Sequence, residues 1–161
     1  MSEMNSLLEL LTKEIEVIQG LLQLSKEKQQ VLLEGDLNKL NLIVAEEQVF
    51  MGKVDNLEQL RNQEVIRLAE FLGLPAWSGL KEVAAGCSAP DGEALQEKGS
   101  VLRNHVREIG ELNSQNNGLI NQSLELIRFF VKSLAGEPEQ SGYTSEADTR
   151  KGQSLMLDRR V

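Results

Sequence analysis

Histidine and cysteine, the side chains most often used for catalysis and for binding transition metals, are nearly absent from this sequence of 161 residues. His105 is the only histidine and Cys87 the only cysteine, so the paired ligands of a zinc or diiron site are missing. No base is predicted beside Cys87 to activate its thiol. Paired glutamates such as Glu46 and Glu47 are typical of a solvated helix face, and the glycines form no phosphate-binding loop. We therefore expect a protein that is not an enzyme and that uses no cofactor or metal.

Composition narrows the range of partners and compartments. The formal net charge is −8, whereas a nucleic-acid-binding protein normally presents a basic face. A single cysteine allows no internal disulfide, which is typical of the cytoplasm. The first residues, MSEMNSLLELLTKEIEV, lack the basic start of a secretory leader, and no apolar run approaches the length of a membrane span. We expect a soluble cytoplasmic protein that binds other proteins.

Apolar residues recur at steps of three and four, which indicates amphipathic helices. The first helix is predicted from about residue 4 to residue 34. Gly35 suits the position after a helix C-terminus and Asp36 suits an N-cap, so a second helix is predicted over residues 37–72. So short a connection makes the two helices antiparallel neighbours.

Counting outward from this turn places Ser25 near Glu46 or Glu47. Ser25 and Glu47 lie on the stripes expected to face the partner helix. Polar residues at matching interior positions can satisfy one another and fix the register of a bundle. The sequence therefore predicts a polar layer between the first two helices.

A connector rich in glycine and proline follows the second helix. Gly73 and Pro75 end that helix, a two-turn helix is predicted over residues 76–85, and Trp77 is expected to plug one end of the bundle. A third long helix is predicted over residues 93–135. The fold class is thus all-α: an elongated antiparallel bundle of three long helices with a short connector helix.

Two domains of different character are predicted. Residues 1–135 form the helical bundle, and residues 136–161 form a mobile C-terminal tail rich in Ser, Gly, Thr and charge. The tail nevertheless contains Tyr143 and the apolar triplet Leu155-Met156-Leu157, which are side chains typical of binding sites. We expect the tail to order on a partner, with folding back onto its own bundle as the open alternative.

The order of these patterns resembles the FlgN family of flagellar export chaperones. The hairpin reads LLELLTKEIEVIQGLLQLSKEKQQVLLEGDLNKLNLIVAEEQ and continues into LEQLRNQEV. The stretch LNSQNNGLINQSLELIRFF is similar to the asparagine-containing third helix of the family. The ending GYTSEADTRKGQSLMLDRRV is similar to its tyrosine- and glycine-bearing tail. The resemblance covers nearly the whole chain.

The resemblance implies a cytoplasmic chaperone for the hook–filament junction proteins. Such clients end in amphipathic helices, which a chaperone would hide in a helix-in-groove complex before export. The resemblance also implies contact of the tail with a component of the export gate. The predicted partner-binding residues are Leu112, Asn113, Asn116, Asn117, Leu119, Ile120, Asn121, Ile127, Tyr143, Leu155 and Leu157.

The roles of these residues follow from their chemistry. The leucines and isoleucines grip the apolar face of a client helix, and the asparagines hydrogen-bond at its margins. Alternatively, Asn116 and Ser123 only set the register of the bundle. A coiled-coil scaffold or adaptor remains a rival function, and the sequence leaves open both the client and the choice between monomer and homodimer.

Overall fold

The computed structural model describes residues 2–135, and within them every regular element is a helix. The predicted all-α fold is confirmed over this range: three long helices and one short connector helix. The long helices begin and end within a few residues of the predicted limits. The elements are α1 (Ser2–Glu34), α2 (Leu37–Phe71), α3 (Leu80–Gly86) and α4 (Ala89–Ala135).

The turn between α1 and α2 forms as its sequence predicts. Gly35 has φ of 73°, a left-handed conformation that glycine adopts without a steric penalty. The amides of Gly35 and Asp36 both donate to the carbonyl of Val31, at 3.0 and 3.4 Å, which closes the end of α1. The Asp36 carboxylate then accepts from the amide of Lys39 at 3.0 Å and caps α2. These contacts fix the antiparallel hairpin.

Two ion pairs join the helices of the hairpin. Arg61 donates through Nε to one carboxylate oxygen of Glu14 at 2.7 Å and through Nη2 to the other at 3.3 Å, and both side chains are buried. Burial raises the pKa of Glu14 above its ordinary value, although the Arg61 guanidinium acts in the opposite direction. Nearer the turn, Lys28 donates to Glu47 at 2.9 Å. The pairs set the register of α1 against α2.

No hydrogen bond joins Ser25 to Glu46 or Glu47 in the described structure, although the sequence predicts that they lie near each other. Glu47 contacts Lys28, three residues further along α1. Ser25 is buried, and its hydroxyl donates to the carbonyl of Leu21 in its own helix at 3.0 Å. The carbonyl of Ser25 accepts from the Asn116 amide of α4 at 3.1 Å, so Ser25 belongs to the side of α1 that faces α4.

Helix α1 lies between the other two long helices and runs parallel to α4. Gln29 donates to Gln115 at 2.9 Å, and Gln19 Nε2 lies 3.5 Å from His105 Nε2. These pairs share a sequence separation of 86 residues, as two parallel helices require. In the described range α2 and α4 each pack on α1, and no Cα of α2 lies within 8 Å of a Cα of α4.

The connector differs from its prediction in two respects. The short helix α3 begins at Leu80 rather than near residue 76, and Trp77 is 76% exposed instead of plugging the bundle. Gly73, with φ of 67°, ends α2, and the amide of Ser78 donates to the carbonyl of Pro75 at 3.0 Å. This turn leaves Trp77 exposed, whereas Leu72, Leu74 and Leu80 on either side of it in sequence pack against the core. The most completely buried leucines and isoleucines are Leu7, Leu11, Ile18, Leu95, Leu102 and Ile109.

Candidate functional site

A seven-residue repeat runs through most of α4. One row of the repeat consists of every seventh residue from Leu95, and the other row consists of every seventh residue from Val106. Two such rows form the seam along which parallel helices pack. We call these two rows the seam of α4. The seam comprises Leu95, Leu102, Val106, Ile109, Asn113, Asn116, Ile120, Ser123, Ile127, Phe130 and Leu134.

Helix α1 covers only the first part of this seam. Groups that hydrogen-bond across the two helices are separated by 86 to 91 residues in sequence. Adding that separation to Glu34, the last residue of α1, places the end of α1 level with about residues 120–125 of α4. Helix α4 continues to Ala135. We call residues 121–135 the overhang of α4, a length of about 22 Å at 1.5 Å per residue.

The overhang carries apolar side chains that nothing in the described range covers. All fifteen of its residues are exposed. Its large apolar residues have exposed fractions from 45% at Leu124 to 88% at Leu134. Soluble monomers seldom leave such a contiguous apolar surface unless it binds something. The exposed apolar residues are Leu124, Leu126, Ile127, Phe129, Phe130, Val131 and Leu134.

The geometry of the overhang suits contact with another helix. The seam positions Ile127, Phe130 and Leu134 continue the face that α1 covers earlier in α4. The rings of Phe129 and Phe130 contact edge to face, with centroids 6.2 Å apart, so part of the surface is preorganised. Ser123 interrupts the apolar seam, and its hydroxyl donates to the carbonyl of Leu119 at 3.0 Å. The surface is therefore mostly apolar, with one polar break near its base.

The predicted binding residues of α4 fall into three environments: buried, partly buried and exposed. Asn116 is only 1% exposed, and its amide donates to the carbonyl of Ser25 at 3.1 Å, so it joins α4 to α1 as the alternative hypothesis held. The other predicted residues of α4 form a series from partly buried to exposed. Partly buried are Leu112, Asn113, Leu119 and Ile120, and exposed are Asn117, Asn121 and Ile127. Outside the described residues lie Tyr143, Leu155 and Leu157.

Several residues of the overhang were absent from the predicted site. Leu126, Phe130 and Leu134 recur at helical spacing in the sequence, but such periodicity also fits a covered core face. Helix α1 has 33 residues and α4 has 47. This difference in length is the signal that could have indicated an uncovered part of α4. Sequence periodicity predicts the seam of α4. Only the position of α1 relative to α4 shows which part of the seam is covered.

Groups with catalytic potential are isolated in the described structure. Cys87 is partly buried, and burial, with a smaller effect of Asp91, raises the pKa of its thiol, which disfavours the reactive thiolate. His105 Nδ1 is buried and has no hydrogen-bond partner among the described atoms. Across residues 2–135, no group of three or more His, Cys, Asp or Glu side chains is placed to hold a metal ion. In the same range, no helix is long and apolar enough to cross a membrane.

Comparison with known proteins agrees with the resemblance in the sequence. No curated protein and no solved structure gave a significant match. The model of the FlgN protein family, by contrast, matches residues 1–151, which is all but the last ten residues of the chain. A match of this extent covers all four helices and therefore the seam and the overhang. The chain belongs to the FlgN family, a family of flagellar export chaperones.

Proposed function

We propose that this protein is a cytoplasmic, non-enzymatic chaperone that binds the C-terminal amphipathic helices of hook–filament junction proteins. Binding prevents premature assembly of the clients and delivers them to the flagellar secretion apparatus. The observation that carries the proposal is the overhang of α4, an exposed helix whose apolar seam continues a helix-packing face. An amphipathic client helix has the complementary surface, and burial of both surfaces together removes them from water.

The size of the overhang suits a complex that must later dissociate. Fifteen residues present about two heptads, and Ser123 occupies one seam position among them. Burial of a large apolar side chain contributes about 1.5–3 kcal/mol, part of which offsets the entropy lost on association. A few such side chains support a specific complex without the extensive buried area of a permanent one.

Exposed asparagines at the base of the overhang add specificity to this surface. Asn117 follows the seam residue Asn116, Asn121 follows the seam residue Ile120, and both side chains are exposed. Their amides can donate to and accept from polar groups at the edge of a client helix. Each such bond contributes about 1 kcal/mol net, which suits reversible recognition.

The role of residues 136–161 stays a prediction from their sequence. We propose that they form a separate C-terminal segment, next to the helical domain 1–135, that adds apolar contacts from Tyr143, Leu155 and Leu157. Their partner is either the bound client or a component of the export gate. Tyrosine combines a large apolar ring with one hydroxyl, a frequent combination at the centre of interfaces.

Titration calorimetry with a synthetic peptide of the junction protein's C-terminal helix tests the proposal. The double variant Ile127→Asp, Phe130→Asp should lose at least about tenfold in affinity, since each change removes an apolar contact and buries a charge. The matched control is Leu42→Asp, Val49→Asp, which alters two exposed apolar residues of α2. The control should bind as the wild type does, and circular dichroism should show unchanged helicity in both variants.

Two outcomes would contradict the proposal. If the overhang variant binds the peptide with unchanged affinity while remaining folded, the overhang is not the client site. In the second outcome, the wild type does not bind the peptide and sediments as a stable dimer, whereas the overhang variant sediments as a monomer. The exposed seam then pairs with a second copy of the chain. That result would favour a coiled-coil scaffold, the function for which an uncovered seam is also suited.

A further inference from the structure

We infer that the bound client helix lies in line with α1 and parallel to α4, with its N-terminal end against the turn between α1 and α2. The inference rests on the proposed function and specifies the position and direction of the client helix. It starts from the continuity of the seam. Helix α1 packs on α4 in a parallel orientation, and the same two rows continue beyond the end of α1.

Continuity of the seam fixes the position of the client helix. A helix that packs on Ile127, Phe130 and Leu134 occupies the same side of α4 that α1 occupies up to Glu34. Helix α1 and the client helix then lie end to end, like two segments of a single interrupted helix that packs on α4 as in a coiled coil. The exposed Leu33 and Leu37 flank the point where they meet and offer apolar contact to the first turn of the client.

Charge at the end of α1 favours the N-terminal end of the client at this junction. The last turn of α1 contains no basic residue, and its final residue, Glu34, is exposed and acidic. The carbonyl groups at a helix C-terminus carry a partial negative charge, which attracts the partial positive charge of a helix N-terminus. The opposite direction would place two negative helix ends and Glu34 together. Such an end effect changes a binding constant by about two- to fivefold.

Length agrees with this arrangement. From residue 121 to Ala135 the overhang extends about 22 Å, so a client helix of about 15 residues reaches from the turn to the end of α4. In the parallel direction, the C-terminal end of the client lies beside Ala135, where residues 136–161 begin.

Disulfide cross-linking tests the direction. In a Cys87→Ser background, a cysteine replaces Leu33 at the turn or Ser133 near the end of α4. The client peptide carries a cysteine at either its N-terminal or its C-terminal end. We expect the N-terminal peptide to cross-link at position 33 and the C-terminal peptide at position 133. A cysteine at Glu125, on the face of α4 opposite the seam, is the matched control and should cross-link poorly with both peptides.

A charge reversal provides a second measurement. Glu34→Lys should weaken peptide binding about two- to fivefold, because it places a positive charge at the N-terminal end of the client. Glu125→Lys makes the same change of net charge away from the seam and serves as the control. If Glu34→Lys strengthens binding relative to this control, the client runs in the opposite direction.

The outcomes separate this inference from the proposed function. Cross-linking in the reversed pairing, or equally in both pairings, overturns the parallel direction but leaves client binding intact. Binding without any cross-link at positions 33 and 133 overturns the placement in line with α1. If the peptide does not bind the unmodified chaperone at all, the proposed function itself fails.

Discussion

The two parts of α4 share one sequence pattern but differ in what covers them. Between Leu95 and Asn116 the seam packs on α1, and four of its residues are almost completely buried. In the overhang the same repeat continues, and every residue is exposed. The covered part therefore contributes to folding stability, whereas the overhang leaves its apolar surface available for binding. One repeat thus occurs in two environments, and the end of α1 separates them.

The largest expected effect compares two isoleucines of the seam. Ile109 is 1% exposed and Ile127 is 57% exposed. Ile109→Ala should lower the free energy of unfolding by about 2–5 kcal/mol, since it leaves a cavity between α1 and α4. Ile127→Ala should change it by less than about 0.5 kcal/mol. Urea unfolding followed by circular dichroism measures both values. Equal losses would show that the overhang is part of the folded core.

A smaller effect is expected for two polar residues of the same row. Asn116→Ala removes the hydrogen bond to the carbonyl of Ser25 and a buried side chain, and should cost about 1–2 kcal/mol of unfolding free energy. Ser123 lies seven residues later and is exposed, so Ser123→Ala should have an effect within about 0.5 kcal/mol. The same urea titration compares them. A neutral Asn116→Ala variant would mean that this asparagine does not join the two helices.

The asparagines at the margin of the overhang should affect binding rather than folding. The double variant Asn117→Ala, Asn121→Ala should weaken affinity for the junction-protein peptide about three- to tenfold, as expected for the loss of two exposed hydrogen bonds. Helicity should be unchanged, because both residues are exposed. Calorimetry makes the comparison, with Gln122→Ala, which alters another exposed amide of the overhang outside the seam, as the control. Unchanged affinity in a folded double variant would exclude the polar margin from the site.

Truncation after Gly136 should have the smallest effect on stability. It removes a segment outside the described helices, so we expect the thermal midpoint to shift by no more than about 2 °C, while binding to the client or to an export-gate protein decreases. Differential scanning calorimetry and the peptide titration give the two values. A markedly lower midpoint would show that the removed segment belongs to the fold and that the predicted docking role is wrong.

The helices and the hairpin could be predicted because their determinants are local. Apolar steps of three and four mark a helix, and Gly35 followed by Asp36 supplies both a left-handed residue and a cap within two positions. Trp77 was misplaced for the opposite reason. A large apolar side chain favours burial, but the connector turns Trp77 outward. The path of the connector depends on how α2 ends and α3 begins.

The sequence by itself determined the all-α fold, the antiparallel hairpin and the presence of an apolar seam on the third long helix. Only the tertiary structure decided which polar residues meet and which part of the seam is covered. Asn116 hydrogen-bonds to Ser25, which is 91 residues away in sequence. Helix α1 ends at Glu34 and therefore does not cover α4 beyond that level. The periodicity of a sequence indicates that one face of a helix is apolar and packs on something. The position of the helix that covers this face depends on packing between segments that are distant in sequence. The overhang exists because the parallel packing of α1 and α4 begins near their N-terminal ends while α4 is the longer helix.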